Sequence, residues 1–371
     1  MSENKRTFNF YCNDVSTSNR ITLMLTQDCN LACKYCYGGE SGGFNSKGSK
    51  MTFETAKSAI NYLLATSSNS NIYRILFFGG EPLLNFEVMQ NTVSYCEEIT
   101  AKTGKKFTYG LTTNATLLND SIISFIEAKK ICITISLDGD KNVHDYNRCF
   151  PNKKGSYDII INNINKLNHK SIPFNIRATL TRNFFDQYDN IYDHLSSFGA
   201  KGVHISQVSI YEGINDQVMG NYSGENSLYY DEYYDKPESI KAKFMEHLMY
   251  SIKSASKRRV FCGLMKGCTA VTSTGDFYPC HRFVGMEGYK FGNLIDGISK
   301  SVMMNIFDGI DNATKRCEEC FARYICQRHC LRDISCENLK FKKFGEKLCT
   351  NTRKEIEDAI VEYYVREGKS S

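Results

Sequence analysis

The chain has 371 residues, of which 42% are hydrophobic and 23% are charged, as is ordinary for a globular protein. Its formal net charge of +5 is spread along the sequence, and the longest basic clusters, 257–259 and 340–343, are too short to predict a nucleic-acid-binding surface. The sequence contains no apolar stretch of about 18 residues, so it predicts no membrane span. The first residues lack the apolar centre of a signal peptide.

Short apolar runs alternate with longer amphipathic segments from about residue 20 to residue 210. Predicted strands lie at Ile21–Thr26, Tyr73–Phe78, Phe107–Thr112, Ile131–Leu137, Phe174–Thr181 and Val203–Val208, and predicted helices at 53–66, 86–102, 119–129, 157–169 and 186–198. This alternation is typical of parallel strands joined by right-handed crossovers. It predicts an α/β fold, a partial (β/α)6 TIM-like barrel whose active site lies at the carboxyl ends of the strands. An open doubly wound sheet is the alternative, and the absence of GxGxxG after the first strand weakens it.

Composition divides the chain further. Residues 1–20 form a predicted N-terminal extension and 21–237 the barrel domain, which ends in an irregular insertion at 211–237. A linker helix is predicted within 238–260. Residues 261–350 contain nine cysteines, predict short strands at most, and have too little apolar material to fold without metal. A C-terminal helix and tail, 351–371, close the chain.

Three cysteines, Cys29, Cys33 and Cys36, follow the first predicted strand. The protein is expected in the cytoplasm, where cysteines bind metal more often than they form disulfides. Three thiolates on a four-iron cluster leave one iron open to a cofactor. A zinc site requires four ligands, and no fourth cysteine or histidine lies nearby. A redox-active cysteine pair would not need Cys29.

This cysteine spacing resembles the CxxxCxxC signature of the radical S-adenosylmethionine (SAM) superfamily. The resemblance extends to Gly79-Gly80-Glu81-Pro82, Thr113-Asn114-Ala115-Thr116 and Ser136-Leu137-Asp138-Gly139, which follow the second, third and fourth predicted strands. It implies a reduced [4Fe-4S] cluster that cleaves SAM to a 5′-deoxyadenosyl radical, which abstracts hydrogen from carbon. The residues it assigns to SAM are Tyr35, Tyr37, Gly79, Gly80, Glu81, Asn114, Ser136, Asp138 and Arg177. A structural salt bridge is an equally good explanation of Arg177.

The C-terminal cysteines resemble the SPASM domain, which binds two auxiliary clusters. The resemblance assigns one [4Fe-4S] cluster to Cys262, Cys268, Cys280 and Cys330, and the other to Cys317, Cys320, Cys326 and Cys349. With the first cluster, this implies three clusters in all. Two zinc sites are the alternative for this region taken alone, and Cys336 could replace an assigned ligand. Cys96 and Cys132 are expected to be buried apolar fillers, and Cys12 and Cys149 have no assigned role.

SPASM enzymes mostly modify peptides, so the resemblance implies a peptide or protein substrate. Sulfatase maturases, which form formylglycine, typically carry an aspartate base directly after the cysteine that Cys280 matches, and here His281 stands in that position. The sequence therefore favours enzymes that join a cysteine thiolate to carbon, as in sactipeptides and ranthipeptides. His281 would take the thiol proton or donate to a cluster sulfur.

Formylglycine formation and other oxidative peptide cross-linking remain alternatives, and so does a non-catalytic adaptor that holds zinc. Only about twenty residues precede the first predicted strand, too few for a leader-binding domain. Either a separate protein binds the leader, or the barrel and its insertion grip the substrate directly. The expected electron donor is a flavodoxin- or ferredoxin-type reductant, and neither nucleic acid nor membrane is an expected partner.

Overall fold

A computed structural model describes residues 18–38, 49–67, 69–208, 264, 269–323, 325–326, 330–341 and 346–368. The chain divides into two compact units, the first comprising 1–220 and 264–304 and the second 221–263 and 305–371. The predicted insertion, the linker helix and most of the N-terminal extension lie outside the described residues. No helix in the described part of the chain is long and apolar enough to cross a membrane.

The first unit contains a parallel sheet in which successive strands are neighbours. The strands are β1 (Arg20–Thr26), β2 (Ile72–Gly79), β3 (Lys106–Thr113), β4 (Cys132–Ser136), β5 (Phe174–Leu180) and β6 (Gly202–Gln207). The helices are α1 (Phe53–Thr66), α2 (Phe86–Thr103), α3 (Asp120–Ala128), α4 (Lys141–Asn147), α5 (Tyr157–His169) and α6 (Tyr188–Ser196). All six predicted strands and five predicted helices are confirmed. The predicted partial barrel is confirmed too, because the six parallel strands follow one another in chain order without the reversal that a doubly wound sheet has, and the sheet is open along its described strands.

The two faces of this sheet differ in polarity, as β5 shows. Phe174, Ile176, Ala178 and Leu180 are buried, whereas the residues between them are polar and at least partly exposed. Successive side chains of a strand point to opposite faces, so this alternation puts one face in the core and leaves the other polar. The polar face therefore carries the side chains available for chemistry.

The short helix α4 is absent from the sequence prediction, because seven residues are too few for an apolar period to emerge. Its start is set by Asp140, whose carboxylate accepts a hydrogen bond from the Val143 N–H at 3.0 Å. The helix ends at Asn147 and turns the chain back towards the end of β1.

Four short strands extend the sheet beyond β1. Strand β7 (Ala270–Val271) pairs parallel with β1, and β8 (Asp276–Tyr278), β9 (Gly292–Asn293) and β10 (Gly297–Ile298) follow in antiparallel order. Within the first unit, Met24, Ala270 and Val284 form a small buried cluster against which Tyr37, Phe78 and Tyr278 pack. This packing places Cys280 and His281 beside the end of β1.

Helix α7 (Lys300–Thr314) leads into the second unit, which also contains the strands β11 (Ser335–Cys336) and β12 (Lys340–Phe341) and the helix α8 (Glu346–Gly368). The prediction that 261–350 contains short strands at most is therefore wrong, because α7 is a helix of 15 residues within this range. Gly309 weakens the helical pattern of this segment in the sequence. The glycine is explained by packing, because a Cβ there would lie 2.0 Å from the Phe341 ring. Helix α8 confirms the C-terminal helix and begins five residues earlier than predicted.

Candidate active site

The loop after β1 brings together the three cysteines of the first motif. Cys29, Cys33 and Cys36 are free thiols with partly buried side chains. Burial raises the pKa of all three, that of Cys29 to about 12, and the nearby Cys36 thiol also raises the pKa values of Cys29 and Cys33. Thiols this reluctant to ionise alone need a cationic partner, such as iron, to become thiolates.

Hydrogen bonds connect Cys29 to the end of β3. Its sulfur accepts the Leu31 N–H at 3.4 Å and lies 3.8 Å from the Asn114 Nδ2, which also donates to the Asn30 Oδ1 at 2.9 Å. Asn30 in turn donates to the Thr116 hydroxyl at 2.8 Å. The motif at 113–116 is thus brought to the cysteine loop, as its place at a strand end predicts.

The end of β2 comes so close to the end of β1 and the loop after it that only glycine fits at positions 79 and 80. The Gly80 N–H donates to the Thr26 carbonyl at 3.0 Å, and a Cβ on Gly80 would lie 2.3 Å from the Asp28 carbonyl oxygen. Gly79 has a φ of +149°, and its Cβ would lie 2.2 Å from the Thr26 oxygen. Both glycines therefore let two strand ends touch directly beside Cys29.

The side chain of Glu81 is enclosed by donors from its own chain. Its carboxylate accepts the Leu83 N–H at 3.1 Å, the Thr113 hydroxyl at 2.7 Å and the Asn114 N–H at 2.8 Å. Burial raises the pKa of Glu81 to about 7, against the opposing effect of these three donors. This carboxylate ties the end of β2 to the end of β3.

Tyr35 and Asp138 meet beneath the cysteine loop. The Tyr35 hydroxyl donates to the Asp138 Oδ2, and the other carboxylate oxygen accepts the Thr179 N–H at 2.9 Å. The Arg148 Nε lies 3.0 Å from the same Asp138 Oδ2, and its guanidinium carbon is 5.2 Å from the centre of the Tyr35 ring. Sequence reasoning missed Arg148, because it belongs to no motif and only the fold brings it to the loop.

Ser136 and Arg177 are register partners on β4 and β5, so they lie side by side at the strand ends. The Arg177 side chain is exposed on the polar face, and its Nη2 donates to the Ser206 hydroxyl at 3.2 Å. Its pairing with Ser136 puts this side chain at the carboxyl ends of the strands, on the polar face.

His281 lies at the edge of the same site. Its ring centre is 4.4 Å from that of Phe78, at the end of β2, and 6.3 Å from that of Tyr37 in the cysteine loop. Burial, together with the charges of Arg282 and Arg177, lowers the pKa of His281 to about 3. The sequence predictions at Tyr37, Cys280 and His281 thus converge in space.

Five cysteines of the second unit have described side chains: Cys317, Cys320, Cys326, Cys330 and Cys349. The Arg316 Nη2 lies 3.0 Å from the Cys349 sulfur, and the thiols of Cys317 and Cys349 are close enough for the first to raise the pKa of the second. Partly buried Cys320 and Cys326 pack against the cluster of Ala322, Ile356 and Ala359. Cys262, Cys268 and the side chain of Cys336 lie outside the described residues.

Two cysteines expected to be apolar fillers have different environments. Cys96 is fully buried in α2, which confirms the prediction. Cys132 is exposed, and the prediction for it is wrong. It begins β4 on the face opposite Ile133, so the strand turns it towards the polar side of the sheet.

No group of three His, Cys, Asp or Glu side chains in the described ranges is spaced to hold a single metal ion. A four-iron cluster makes a different demand, since each thiolate binds its own iron at a separate corner. Three neighbouring free thiols in one loop, held beside the end of β2 by the close approach at Gly79 and Gly80, fit a cluster with one open iron.

The parallel sheet is open, and a loop with three thiols lies among the carboxyl ends of its strands. These two features define an α/β enzyme that depends on an iron–sulfur cluster. The model of the radical SAM superfamily matches residues 23–195. The chain belongs to the radical SAM superfamily, and membership implies SAM and a [4Fe-4S] cluster as cofactors.

Two relatives match most of the chain. One is the uncharacterized protein MJ0907 of Methanocaldococcus jannaschii, 31% identical over 74% of this chain and 88% of the relative. Another is the cysteine-type anaerobic sulfatase-maturating enzyme of Clostridium novyi, 24% identical over 87% of this chain and 92% of the relative. Among solved structures, native anSMEcpe with bound AdoMet and Cp18Cys peptide has a TM-score of 0.71 at 20% identity, covering 95% of this chain and 99% of that one. The structural likeness supports the fold.

Proposed function

We propose that this protein modifies a cysteine-containing peptide or protein by joining the cysteine sulfur to a carbon of the same substrate. The observation that carries the proposal is the placement of His281, in the position typical of an aspartate base in sulfatase maturases, 6.3 Å from Tyr37 of the cysteine loop. The peptide as substrate class is supported by the likeness to anSMEcpe, which was solved with a peptide.

Cys29, Cys33 and Cys36 are the residues proposed to hold the catalytic cluster. When bound, this cluster and SAM supply the electron and the radical that remove a hydrogen from the substrate carbon. Tyr35 and Asp138 already hydrogen-bond each other, so their proposed contribution is to hold the loop in place. The backbone of Gly79 and Gly80, together with Tyr37, Asn114, Ser136 and Arg177, is proposed to bind and orient SAM.

His281 is proposed to act on the substrate thiol. Its Nδ1 or Nε2 either receives the thiol proton, a role that its lowered pKa opposes, or donates a hydrogen bond to a sulfur at Cys280. The variants His281→Gln and His281→Asp separate these roles. A glutamine side chain still donates a hydrogen bond but cannot take the proton. If His281 acts as a donor, the His281→Gln variant should retain turnover and its pH profile. If His281 accepts the proton, only the His281→Asp variant should retain turnover.

Formylglycine formation is the second candidate, and the similarity to the Clostridium novyi sulfatase maturase over 87% of this chain favours it. Both candidates begin at a cysteine, so they differ in product. The histidine at position 281 departs from the aspartate typical of those maturases, and this departure places formylglycine formation second.

The test is anaerobic incubation with a Cys-rich peptide encoded beside this gene and, in parallel, with a sulfatase-derived peptide, followed by mass spectrometry. A product that lacks two hydrogens and resists alkylation of its cysteine supports the thioether. Loss of the thiol sulfur with an aldehyde supports formylglycine. A colourless protein that holds only zinc and cleaves no SAM overturns both and supports the adaptor.

The wider proposal includes auxiliary clusters, partners and location. Two further [4Fe-4S] clusters are proposed at the sets Cys262, Cys268, Cys280, Cys330 and Cys317, Cys320, Cys326, Cys349, and one of them would accept the electron released when the substrate thiolate joins the carbon radical. A separate leader-binding protein and a flavodoxin- or ferredoxin-type donor are proposed partners. A cytoplasmic location follows from the need to keep these thiols reduced.

A further inference from the structure

Arg148 is held against the cysteine loop by the backbone on both sides of it. The N–H groups of Ala32 and Lys34, which flank Cys33, donate to the carbonyls of Cys149 and Asn147, which flank Arg148, at 2.7 and 3.0 Å. These two bonds set the backbone of Cys33 opposite that of Arg148. The position of Arg148 relative to the loop is therefore fixed by main-chain pairing as well as by its side chain.

The guanidinium of Arg148 is nearly buried, since its side chain is 11% exposed. Its Nε lies 3.0 Å from Asp138, whose side chain is completely buried. Asp138 is engaged on both oxygens, by Tyr35 and by the Thr179 N–H. The Nη groups of Arg148 have no hydrogen-bond acceptor within the described part of the chain, so a second anion beside this guanidinium would be stabilised by it.

We propose that Arg148 is a positioning residue whose buried charge stabilises the reduced, more negative form of the iron–sulfur cluster bound by Cys29, Cys33 and Cys36. This inference rests on the proposed cluster at those cysteines. Three thiolates give a four-iron cluster a net negative charge, and one electron from an external reductant increases it by one. A cation held away from water acts strongly on such a group, because little solvent lies between them to screen it.

Lys34 is the matched control, since it is adjacent to Cys33 in sequence and also carries one positive charge. Its side chain is exposed, and its Nζ lies 3.2 Å from the centre of the Tyr146 ring. Water and salt screen an exposed charge far more than a buried one. Removal of the Lys34 charge is thus expected to affect the cluster much less than removal of the Arg148 charge.

The experiment measures the midpoint potential of the cluster in the anaerobically purified full-length protein, by titration with dithionite followed by electron paramagnetic resonance. The variant Cys29→Ala/Cys33→Ala/Cys36→Ala provides the reference spectrum from which other clusters are subtracted. Arg148→Gln should make one-electron reduction at least tenfold less favourable, about 59 mV for a one-electron couple. Lys34→Gln should change it by less than threefold, and Arg148→Lys should stay near the wild type.

An Arg148→Gln shift no larger than that of Lys34→Gln would overturn the inference. If Arg148→Gln does not retain the cluster, Asp138→Asn decides. Removal of the opposing negative charge should make reduction of the cluster more favourable. A loss of structure alone would not give a change of this sign. An unchanged or less favourable reduction overturns the inference. Full iron in the triple-alanine variant would instead overturn the proposed cluster site and not the role of the charge.

Discussion

Glu81 is fully buried, and both of its carboxylate oxygens accept hydrogen bonds from the chain itself. In Glu81→Gln, the amide NH2 has to face at least one N–H donor, so one hydrogen bond is lost and a buried donor is left without an acceptor. We expect this change to lower the free energy of unfolding by about 1–3 kcal/mol. Chemical denaturation of the two proteins, both freed of iron, measures it.

Glu98→Gln is the control for this substitution. Glu98 is exposed on α2, so its change should stay within about 0.5 kcal/mol of the wild type. Equal effects of the two substitutions would show that the Glu81 carboxylate does not hold the strand ends together.

His144 gives the molecule a predicted pH dependence. Its side chain is completely buried, the Asp138 N–H donates to its Nδ1 at 3.3 Å, and burial lowers its pKa to about 4. Between the folded pKa and the ordinary value near 6.5, the unfolded chain binds the proton that the folded one refuses, so stability falls as the pH falls through this window. From pH 7.5 to 5.5 the loss should be roughly 1 kcal/mol.

The measurement compares the wild type with His144→Gln at both pH values, again without iron. The variant has no titrating ring, so its stability deficit should shrink at pH 5.5, because only the wild type is weakened by acid. His169→Gln, at the exposed end of α5, is the control for replacing a histidine by glutamine at the surface. A constant deficit for His144→Gln would contradict the buried, neutral imidazole.

At the scale of elements, the contact between the ends of β1 and β2 positions the cysteine loop. In Gly80→Ala, the new Cβ would meet the Asp28 carbonyl, next to Cys29, at 2.3 Å, and backbone cannot yield as a side chain can. We expect a cost of about 1–3 kcal/mol and loss of iron from the first cluster. Thermal unfolding and iron analysis measure these two effects.

Gly202→Ala is the matched control for that experiment. Its Cβ would meet only the end of the Asn175 side chain, at 3.3 Å, which can rotate away. Iron retained in full by Gly80→Ala would mean that the loop tolerates displacement, and the close approach of the two strands would then have no bearing on the cluster site.

The elements themselves were predictable because their signals are local. The strands of the parallel sheet are apolar runs separated by amphipathic helices. The motifs at Gly79–Glu81, Asn114 and Ser136 could be placed in the site because they lie at the carboxyl ends of these strands. Arg148 was not predictable, because its meeting with Cys33 depends on main-chain bonds between segments more than a hundred residues apart. Cys132 was misplaced for a related reason: a cysteine suits either face of a strand, and only pairing decides which.

At the scale of the whole molecule, cysteines distant in sequence are neighbours within the second unit. Burial raises the pKa of the Cys349 thiol and the nearby Cys317 thiol raises it too, and Ala322 packs against Ile356 and Ala359 of α8. One metal centre that joins these segments would be an important part of the folding energy of this unit, because a metal-binding site is absent from the unfolded chain. Three four-iron clusters correspond to about twelve irons per chain.

Cys349→Ala should therefore remove one cluster, lowering iron from about twelve to about eight atoms per chain, and should lower the melting temperature of the iron-loaded protein. The first cluster is proposed at Cys29, Cys33 and Cys36, which belong to the other unit of the chain, so reductive cleavage of SAM should persist while peptide modification is lost. Cys96→Ala is the control, because Cys96 is a fully buried apolar filler and should retain all of the iron. Unchanged iron in Cys349→Ala would assign that ligand position to another residue, and Cys336→Ala, tested in the same way, would identify it.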